Sequence, residues 1–347
     1  MNQNKLSSLA LEFTYTNDLQ KAQLKILDQT LLPFEEKWLV VESLPQMIET
    51  IQSLRVRGAP LIGVSASLML AKMAIDGVSQ AQLIKAATEL YEARPTAVNL
   101  MICIDRMRKI LHHGFAVENV VKEAVEIFNE DVQLCDRIAT NGANLIEDGD
   151  QILTHCNTGG LATAGVGTAL GVIAKAYAQG KNIHVYVDET RPLLQGGRLT
   201  TWELTKLKIP YTLISDNMAA HLMDLKKITK AIVGSDRIAV NGDFANKIGT
   251  YSVAVNCFFH HIPFYVAAPY TTVDPSCPNG QAIPIEQRKP TEVLGVQGHF
   301  GSVQWAPHEA NVYNPSFDVT PAKLVSAWIL DRGVFTHKDV DAGIFKR

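Results

Sequence analysis

The sequence predicts an α/β protein, with a parallel sheet covered by helices on both faces and preceded by a smaller, mainly helical region carrying a short β-sheet. Three observations support this. At 347 residues the chain is long enough for two domains. From about Leu44 to Ile146, apolar residues recur at helical spacing. After Asp148, short β-rich runs alternate with helical segments, the signature of βαβ units and hence of a parallel sheet.

Along the chain, KLSSLALEFTYTND and KAQLKILDQTLLP hold short β-like runs separated by turn residues, which predicts a small amino-terminal sheet. Helical periodicity then runs through MIETIQSLR, AQLIKAATELYEA, AVNLMICIDRMRKILHH and VENVVKEAVEIFNEDVQLCDRIATNGANLI. The most apolar stretch, LIGVSASLMLAKMAIDGV from Leu61, is interrupted by Lys72 and Asp76 and reads as a buried helix, not a membrane span. QILTHC, NIHVYVDE, PYTLIS, KAIVGSD and PFYVAAP predict strands, with GTALGVIAKAYAQG and KIGTYSVAVNCFFHH as helices among them.

Composition narrows the function classes. Hydrophobic residues make up 47% and charged residues 19%, enough for a sizeable core. The formal net charge of -3, from 32 basic and 35 acidic side chains, provides no broad footprint for nucleic acid or an anionic membrane. A few arginines still suffice for a small anion. The amino terminus lacks a basic region followed by a long apolar core, so no signal peptide is expected. Five cysteines, odd in number and without close pairs, predict reduced thiols in the cytoplasm and neither a disulfide framework nor a zinc site.

Three polar loops follow predicted strands, where parallel sheets bind ligands. THCNTGGLATAGVGTALGV, from Thr154, runs a strand into His155-Cys156-Asn157 and a glycine-rich turn before a helix, a setting that favours an anion and lowers a thiol pKa. Cys156 there is either a reactive thiol or a small buried hydrophobe. The glycines miss the dinucleotide fingerprint, because after Gly165 and Gly167 the third, Gly171, comes one residue late. VDETRPLLQGGRLTTWEL, from Val187, gathers Asp188, Glu189, Arg191, Gln195 and Arg198, reading as a phosphate grip or as a salt-bridged solvent loop. IVGSDRIAVNGDFANKIGTYSVAV, from Ile232, places Asp236 after a strand, a turn at Asn241-Gly242, and Asn246-Lys247 at the opening of the next helix. Asp236 reads as an acid–base group or as a helix cap. In the helical half, Arg57-Gly58-Ala59 and Arg94 each precede a helix start, where an arginine either clamps phosphate or lies on the surface.

The runs RVRGAPLIGVSA, RPTAVNL, THCNTGGLATAGVGTALGVI, DETRPLLQGGRLTTWEL, VGSDRIAVNGDFANKIGTYSVAV, PFYVAAPYTTVD and YNPSFDVTPAKLV closely resemble the methylthioribose-1-phosphate isomerases of methionine salvage, from about Ile26 to Ile329. The wider superfamily includes ribose-1,5-bisphosphate isomerases and the α, β and δ regulatory subunits of a translation-initiation exchange factor. The resemblance implies a small amino-terminal domain, residues 1–130, joined to a Rossmann-like carboxyl-terminal domain, residues 131–347, in a cytoplasmic homodimer. It implies Cys156 and Asp236 as the catalytic pair, with Arg57, Gly58, Ala59, Arg94, Gln195, Asn246 and Lys247 binding a sugar phosphate. No metal and no other cofactor is expected. Gly160, Gly197 and Ser235 stand where alanine is common, which is expected to loosen those loops slightly. The chemistry implied is an aldose–ketose isomerisation of a sugar 1-phosphate. The alternatives are a neighbouring sugar phosphate, 5-deoxyribose 1-phosphate or ribose 1,5-bisphosphate, and a non-catalytic regulatory subunit.

Overall fold

The computed structural model describes residues 3–94, 97–298 and 301–346. Its chain divides into two compact units, Met1–Leu134 with Gly160–Val166, and Cys135–Gly159 with Gly167–Arg347. The expected boundary at 130/131 falls inside one continuous helix, Val117–Ala143.

The first unit opens with an antiparallel sheet of β1 (Gln3–Ser7), β2 (Leu11–Thr16), β3 (Ala22–Leu27) and β4 (Trp38–Val41), in that order. Period-two alternation puts Leu11 and Phe13 of β2 on one face, opposite Ile26 and Leu24 of β3, and all four are fully buried. Helices α1 (Leu44–Gln52), α2 (Ala59–Ile75), α3 (Gln80–Glu92), α4 (Val98–His113) and α5 (Val117–Ala143) follow. Ser43 caps α1 by accepting the Gln46 N–H, and Ser79 with Gln82 forms a capping box on α3. The apolar run from Leu61 lies in α2, which is buried continuously from Leu61 to Lys72, so its hydrophobicity serves the core. No helix among the described residues is long and apolar enough to cross a membrane.

In the second unit the strands are β5 (Gln151–Thr154), β6 (His184–Asp188), β7 (Tyr211–Ile214), β8 (Lys230–Val233), β9 (Arg237–Ala239), β10 (Phe244–Lys247), β11 (Phe264–Ala267), β12 (Val273–Asp274), β13 (Gly295–Gly298), β14 (Gly301–Gln304), β15 (Phe317–Thr320), β16 (Ala327–Leu330) and β17 (Gly333–Phe335). The main sheet runs β17-β16-β11-β8-β5-β6-β7, parallel throughout except for the β16–β17 hairpin. Numbered within the sheet, its parallel strands stand in the order 3-2-1-4-5-6, the doubly wound Rossmann arrangement. The expected Rossmann-like α/β class is therefore the observed one. The helices of this unit used below are α6 (Ala169–Ala178), α7 (Thr201–Leu207), α8 (Ala219–Asp224) and α9 (Thr250–Phe259).

Both sheet faces are apolar because both are covered. Ile152, Val185, Val187, Ile232 and Ile329 pack with Leu170, Val172 and Ile173 of α6. Their strand neighbours Leu153, Ala231, Val233, Val266 and Trp328 pack with Met223 of α8 and with Val253 and Cys257 of α9.

A second sheet, β12-β9-β10-β15, interrupts the path from β8 to β11. It turns at Asn241-Gly242, where the Asn241 side chain accepts the Asp243 N–H at 3.1 Å, as the sequence predicts for that dipeptide. The amphipathic signal of β9 and β10 is short and lies between stronger elements, so only the turn between them was expected.

Candidate active site

In a doubly wound sheet the crossovers from the first and fourth strands go to opposite faces, leaving a crevice beyond their carboxyl ends. Those two strands here are β5 and β8, hydrogen-bonded neighbours. Cys156 lies two residues beyond the end of β5, and Asp236 three beyond the end of β8. The third polar loop, with Gln195, leaves β6 on the other side of β5. The three loops therefore extend from neighbouring strand ends of one sheet.

Cys156 is buried and left-handed, with φ 65°, a conformation that costs an L-residue ~1–2 kcal/mol. Its N–H donates to Thr190 Oγ1 at 2.8 Å, and its carbonyl accepts from Thr200 Oγ1 at 2.6 Å. Thr200 closes a π-helical turn, Gly196–Thr200, that leads into α7. Gly196 is obligatory there, because a Cβ would stand 1.8 Å from the Asp188 carbonyl oxygen. Next to the cysteine, Asn157 Nδ2 donates to Glu203 Oε1 at 2.8 Å, both residues buried.

Beneath Cys156, His155 joins three loops. Its Nδ1 meets Asp188 Oδ2 at 2.9 Å and its Nε2 meets the Ile248 carbonyl at 2.9 Å. Burial pulls the imidazole pKa down, but the hydrogen bond and charge of Asp188 outweigh burial and the net direction is up. His155, Asp188 and Asp216 bring their donor atoms within 4.8 Å of one another, the spacing of a potential metal cluster. Both ring nitrogens are already engaged, and Asp216 accepts the N–H groups of Thr190 and Arg191, each at 2.7 Å. The cluster ties these loops together, while Asp188 Oδ1 stays buried with no hydrogen-bond partner among the described residues.

Asp236 is half-buried, and its N–H donates to the Ala245 carbonyl at 2.9 Å, which ties it to the β9–β10 hairpin. Ser235 corrects one expectation. Its hydroxyl lies 3.1 Å from the Arg237 carbonyl and 3.3 Å from that of Ala245, so its one hydrogen ties the loop where an alanine would donate nothing. Asn246 and Lys247 correct another: they lie on β10, not at a helix start. Asn246 Nδ2 donates to Thr250 Oγ1 at 3.0 Å, and Lys247 Nζ donates to the Ser316 carbonyl at 2.9 Å while lying 4.7 Å from the Phe317 ring centroid. The start of α9 is capped by Asp318, which accepts from Gly249 N–H at 2.8 Å and Tyr251 N–H at 3.1 Å.

Gln195 is buried, and its Oε1 has no hydrogen-bond partner among the described residues. An unsatisfied buried acceptor costs about 1–3 kcal/mol, which a donor hydroxyl of a ligand would recover.

The remaining expected residues belong to the first unit. Gly58 is the N-cap of α2 with φ 95°, and a Cβ there would stand 2.4 Å from Ala162 Cα. Ala59 and Pro60 form the first turn, with Arg57 just ahead. Arg94 follows α3, while Pro95 and Thr96 of its motif lie outside the described residues. Arg55 pairs with Asp28 and Glu49. Residues Gly160–Val166, the continuation of the Cys156 motif, cluster with this unit. The Leu61 N–H donates to the Ala162 carbonyl at 3.1 Å, Gln29 Nε2 donates to the Leu161 carbonyl at 2.7 Å, and Asp131 accepts the Ala164 N–H at 2.6 Å. The glycine-rich loop after Cys156 is thus seated against Gly58, so two motifs separated by about a hundred residues of sequence share one packing site.

The fold is that of a Rossmann-ordered α/β protein, with a thiol and a carboxyl just beyond the ends of the two strands at its switch point. The comparisons place the chain more narrowly. Residues 55–337 match the model of the Initiation factor 2 subunit family, and the chain belongs to that family. It is 60% identical over 324 residues to the methylthioribose-1-phosphate isomerase of Enterobacter sp. (strain 638), covering 93% of this chain and 95% of that protein. The crystal structure of 5-methylthioribose 1-phosphate isomerase from Pyrococcus horikoshii OT3 is similar with a TM-score of 0.86 at 38% identity, covering 98% of this chain and 97% of that one. That of the translation initiation factor eIF-2B subunit delta from A. fulgidus has a TM-score of 0.82 at 39% identity, covering 96% and 97%.

Proposed function

We propose that this chain interconverts 5-methylthio-D-ribose 1-phosphate and 5-methylthio-D-ribulose 1-phosphate, the aldose–ketose isomerisation of methionine salvage. The observation that carries this reading is the 60% identity, over nearly the whole chain, to a protein named for that reaction. The placement of Cys156 and Asp236 beyond adjacent strands supports it.

The atom balance indicates which groups the reaction needs. The bond from C1 to the ring oxygen breaks, the ring oxygen gains a proton, the C2 hydroxyl loses one, and the hydrogen on C2 moves to C1. No electrons enter or leave, so acid–base groups suffice and no redox cofactor is invoked. The anomeric oxygen carries the phosphate, so no free aldehyde is available to acidify the C2 hydrogen. Asp236 exchanges protons with the ring oxygen and the C2 hydroxyl. Cys156 either removes the C2 proton, giving a phosphoenolate that is reprotonated at C1, or stabilises a direct hydride transfer from C2 to C1. The unpartnered Gln195 Oε1 accepts from a sugar hydroxyl, and Arg57, Gly58, Ala59, Arg94, Asn246 and Lys247 complete substrate binding.

Two solved structures of comparable likeness carry different names, an isomerase and an initiation-factor subunit, so a non-catalytic sugar-phosphate-binding subunit is the competing reading. The presence of both Cys156 and Asp236 favours the enzyme. Phosphorus NMR of the purified chain with 5-methylthioribose 1-phosphate, 5-deoxyribose 1-phosphate and ribose 1,5-bisphosphate decides among these. Highest kcat/KM on the methylthio sugar is expected. Faster turnover of another sugar, or none of any, overturns the proposal.

The cytoplasm is the proposed compartment, consistent with five free cysteines. A homodimer without nucleic acid is the proposed assembly. Its support is α9, where Tyr251, Val255 and Phe258, with Phe259 beside them, expose large apolar side chains at helical spacing.

A further inference from the structure

The proposed chemistry uses the Cys156 thiol but does not explain why the backbone there is left-handed. Two of the three loops at the strand ends meet at this residue. Thr190 is itself left-handed, with φ 63°, although a β-branched residue disfavours that region more than most. Its backbone is held in place by Asp216, whose Oδ1 accepts the Thr190 N–H and whose Oδ2 accepts the Arg191 N–H. The Thr190 hydroxyl is fully used, accepting from the Cys156 N–H and donating to the Asp188 carbonyl at 3.1 Å. On the other side, the Thr200 hydroxyl donates to the Cys156 carbonyl and accepts from Asn157 Nδ2 at 3.3 Å. Both threonines are buried.

We propose that Thr190 and Thr200 are positioning residues for Cys156, gripping its N–H and its carbonyl so that the strained turn sets the direction in which the thiol leaves the backbone. This rests on the reading of Cys156 as the reactive thiol. A hydroxyl is needed on each side because each must donate one bond and accept another, which valine, of the same shape, cannot do. The π-helical turn has a purpose in this arrangement: it brings Thr200 to the Cys156 carbonyl on the neighbouring strand's loop, and such turns recur at functional sites. Strain at a reactive residue persists only when its surroundings over-determine it, and Asp216, Thr190 and Thr200 supply that constraint.

The test compares the full-length parent with Thr190→Val, Thr200→Val, Thr190→Ser and Thr200→Ser. Measured are kcat and KM on the methylthio sugar phosphate, Tm, and the rate at which iodoacetamide alkylates Cys156, followed by mass spectrometry of the peptide that carries it. Each valine variant is expected to lose roughly 10- to 100-fold in kcat with KM within about threefold, and to change the alkylation rate about tenfold. Each serine variant should restore both, which a role in packing alone would not predict. Valine variants within twofold of the parent in both readouts, or serine variants as impaired as the valines, would overturn the proposal. If the valine variants do not fold, Asp216→Asn should lower kcat severalfold and alter Cys156 alkylation, and no change in either refutes the grip. The alkylation readout needs no turnover. Cys156→Ser with normal activity would therefore sink the reading of the thiol as reactive, while the alkylation rates would still judge the grip.

Discussion

At the scale of single residues, the proposed roles rest on where Cys156 and Asp236 sit and on what holds them. Each is a short side chain placed by backbone bonds, to Thr190 and Thr200 in one case and to Ala245 in the other. Cys156→Ser and Asp236→Asn should therefore leave the fold intact and lower kcat by roughly 100-fold or more, with KM changed little; steady-state kinetics check this. Isomerisation in deuterated water separates the two routes for Cys156. Deuterium at C1 of the ketose rules out a strictly direct hydride transfer and marks a phosphoenolate. The other thiols have different environments. Burial pushes Cys103 up to about 12 and Cys257 higher still, so both stay protonated and unreactive at neutral pH.

At the scale of elements, the loops that carry these residues are tied to helices by single buried groups, and each tie has a measurable consequence. Asp131 of α5 accepts the N–H groups of Ala164 and Gly165, yet burial outweighs those bonds and pushes its pKa from the ordinary 3.8 up to about 6. The native chain thus holds a proton that the unfolded chain releases between about pH 4 and pH 6. Folding stability contributed by this group is full below that window, falls as pH rises through it, and is flat above. The loss is on the order of 2–3 kcal/mol. Denaturation of the parent at pH 4.5, 5.5 and 7 should show this slope, and Asp131→Asn, which cannot ionise, should lack it. Gly197, in the π-helical turn, is a second case. A Cβ there would find its nearest neighbours at 3.7 and 3.8 Å, ordinary contact distances. Gly197→Ala should stabilise the chain by about 0.5–1 kcal/mol, raising Tm by roughly 1–4 °C without loss of activity. Gly196, one residue earlier, has no such freedom.

At the scale of the whole molecule, the proposed homodimer makes a further claim. Phe258 and Phe259 are 64% and 74% exposed on α9, an unusual position for two adjacent phenylalanines. Replacing both with glutamate should shift sedimentation from dimer to monomer while leaving the circular-dichroism spectrum unchanged. A parent chain that sediments as a monomer would refute the assembly.

The sequence by itself determined the alternation of strands and helices, and hence a parallel sheet, because period-two and helical spacing are local properties that each face of an element imposes on its own residues. It also determined that polar loops follow β5, β6 and β8, since buried parallel strands read as continuous apolar runs and anything polar must come after them. The motifs at Cys156, Gln195 and Asp236 were legible for that reason. Tertiary structure decided what no local pattern encodes. The strand order that makes β5 and β8 neighbours depends on which crossovers pack on which face. The short strand bearing Asn246 and Lys247 looked like a helix start, because its β-signal spans only four residues and a helix follows at once. The seat of the Gly160–Val166 loop against Gly58 and the hold of Thr190, Thr200 and Asp216 on Cys156 join residues far apart in the chain. Hydrogen bonds between such residues leave no periodicity in the sequence, so only the folded chain reveals them.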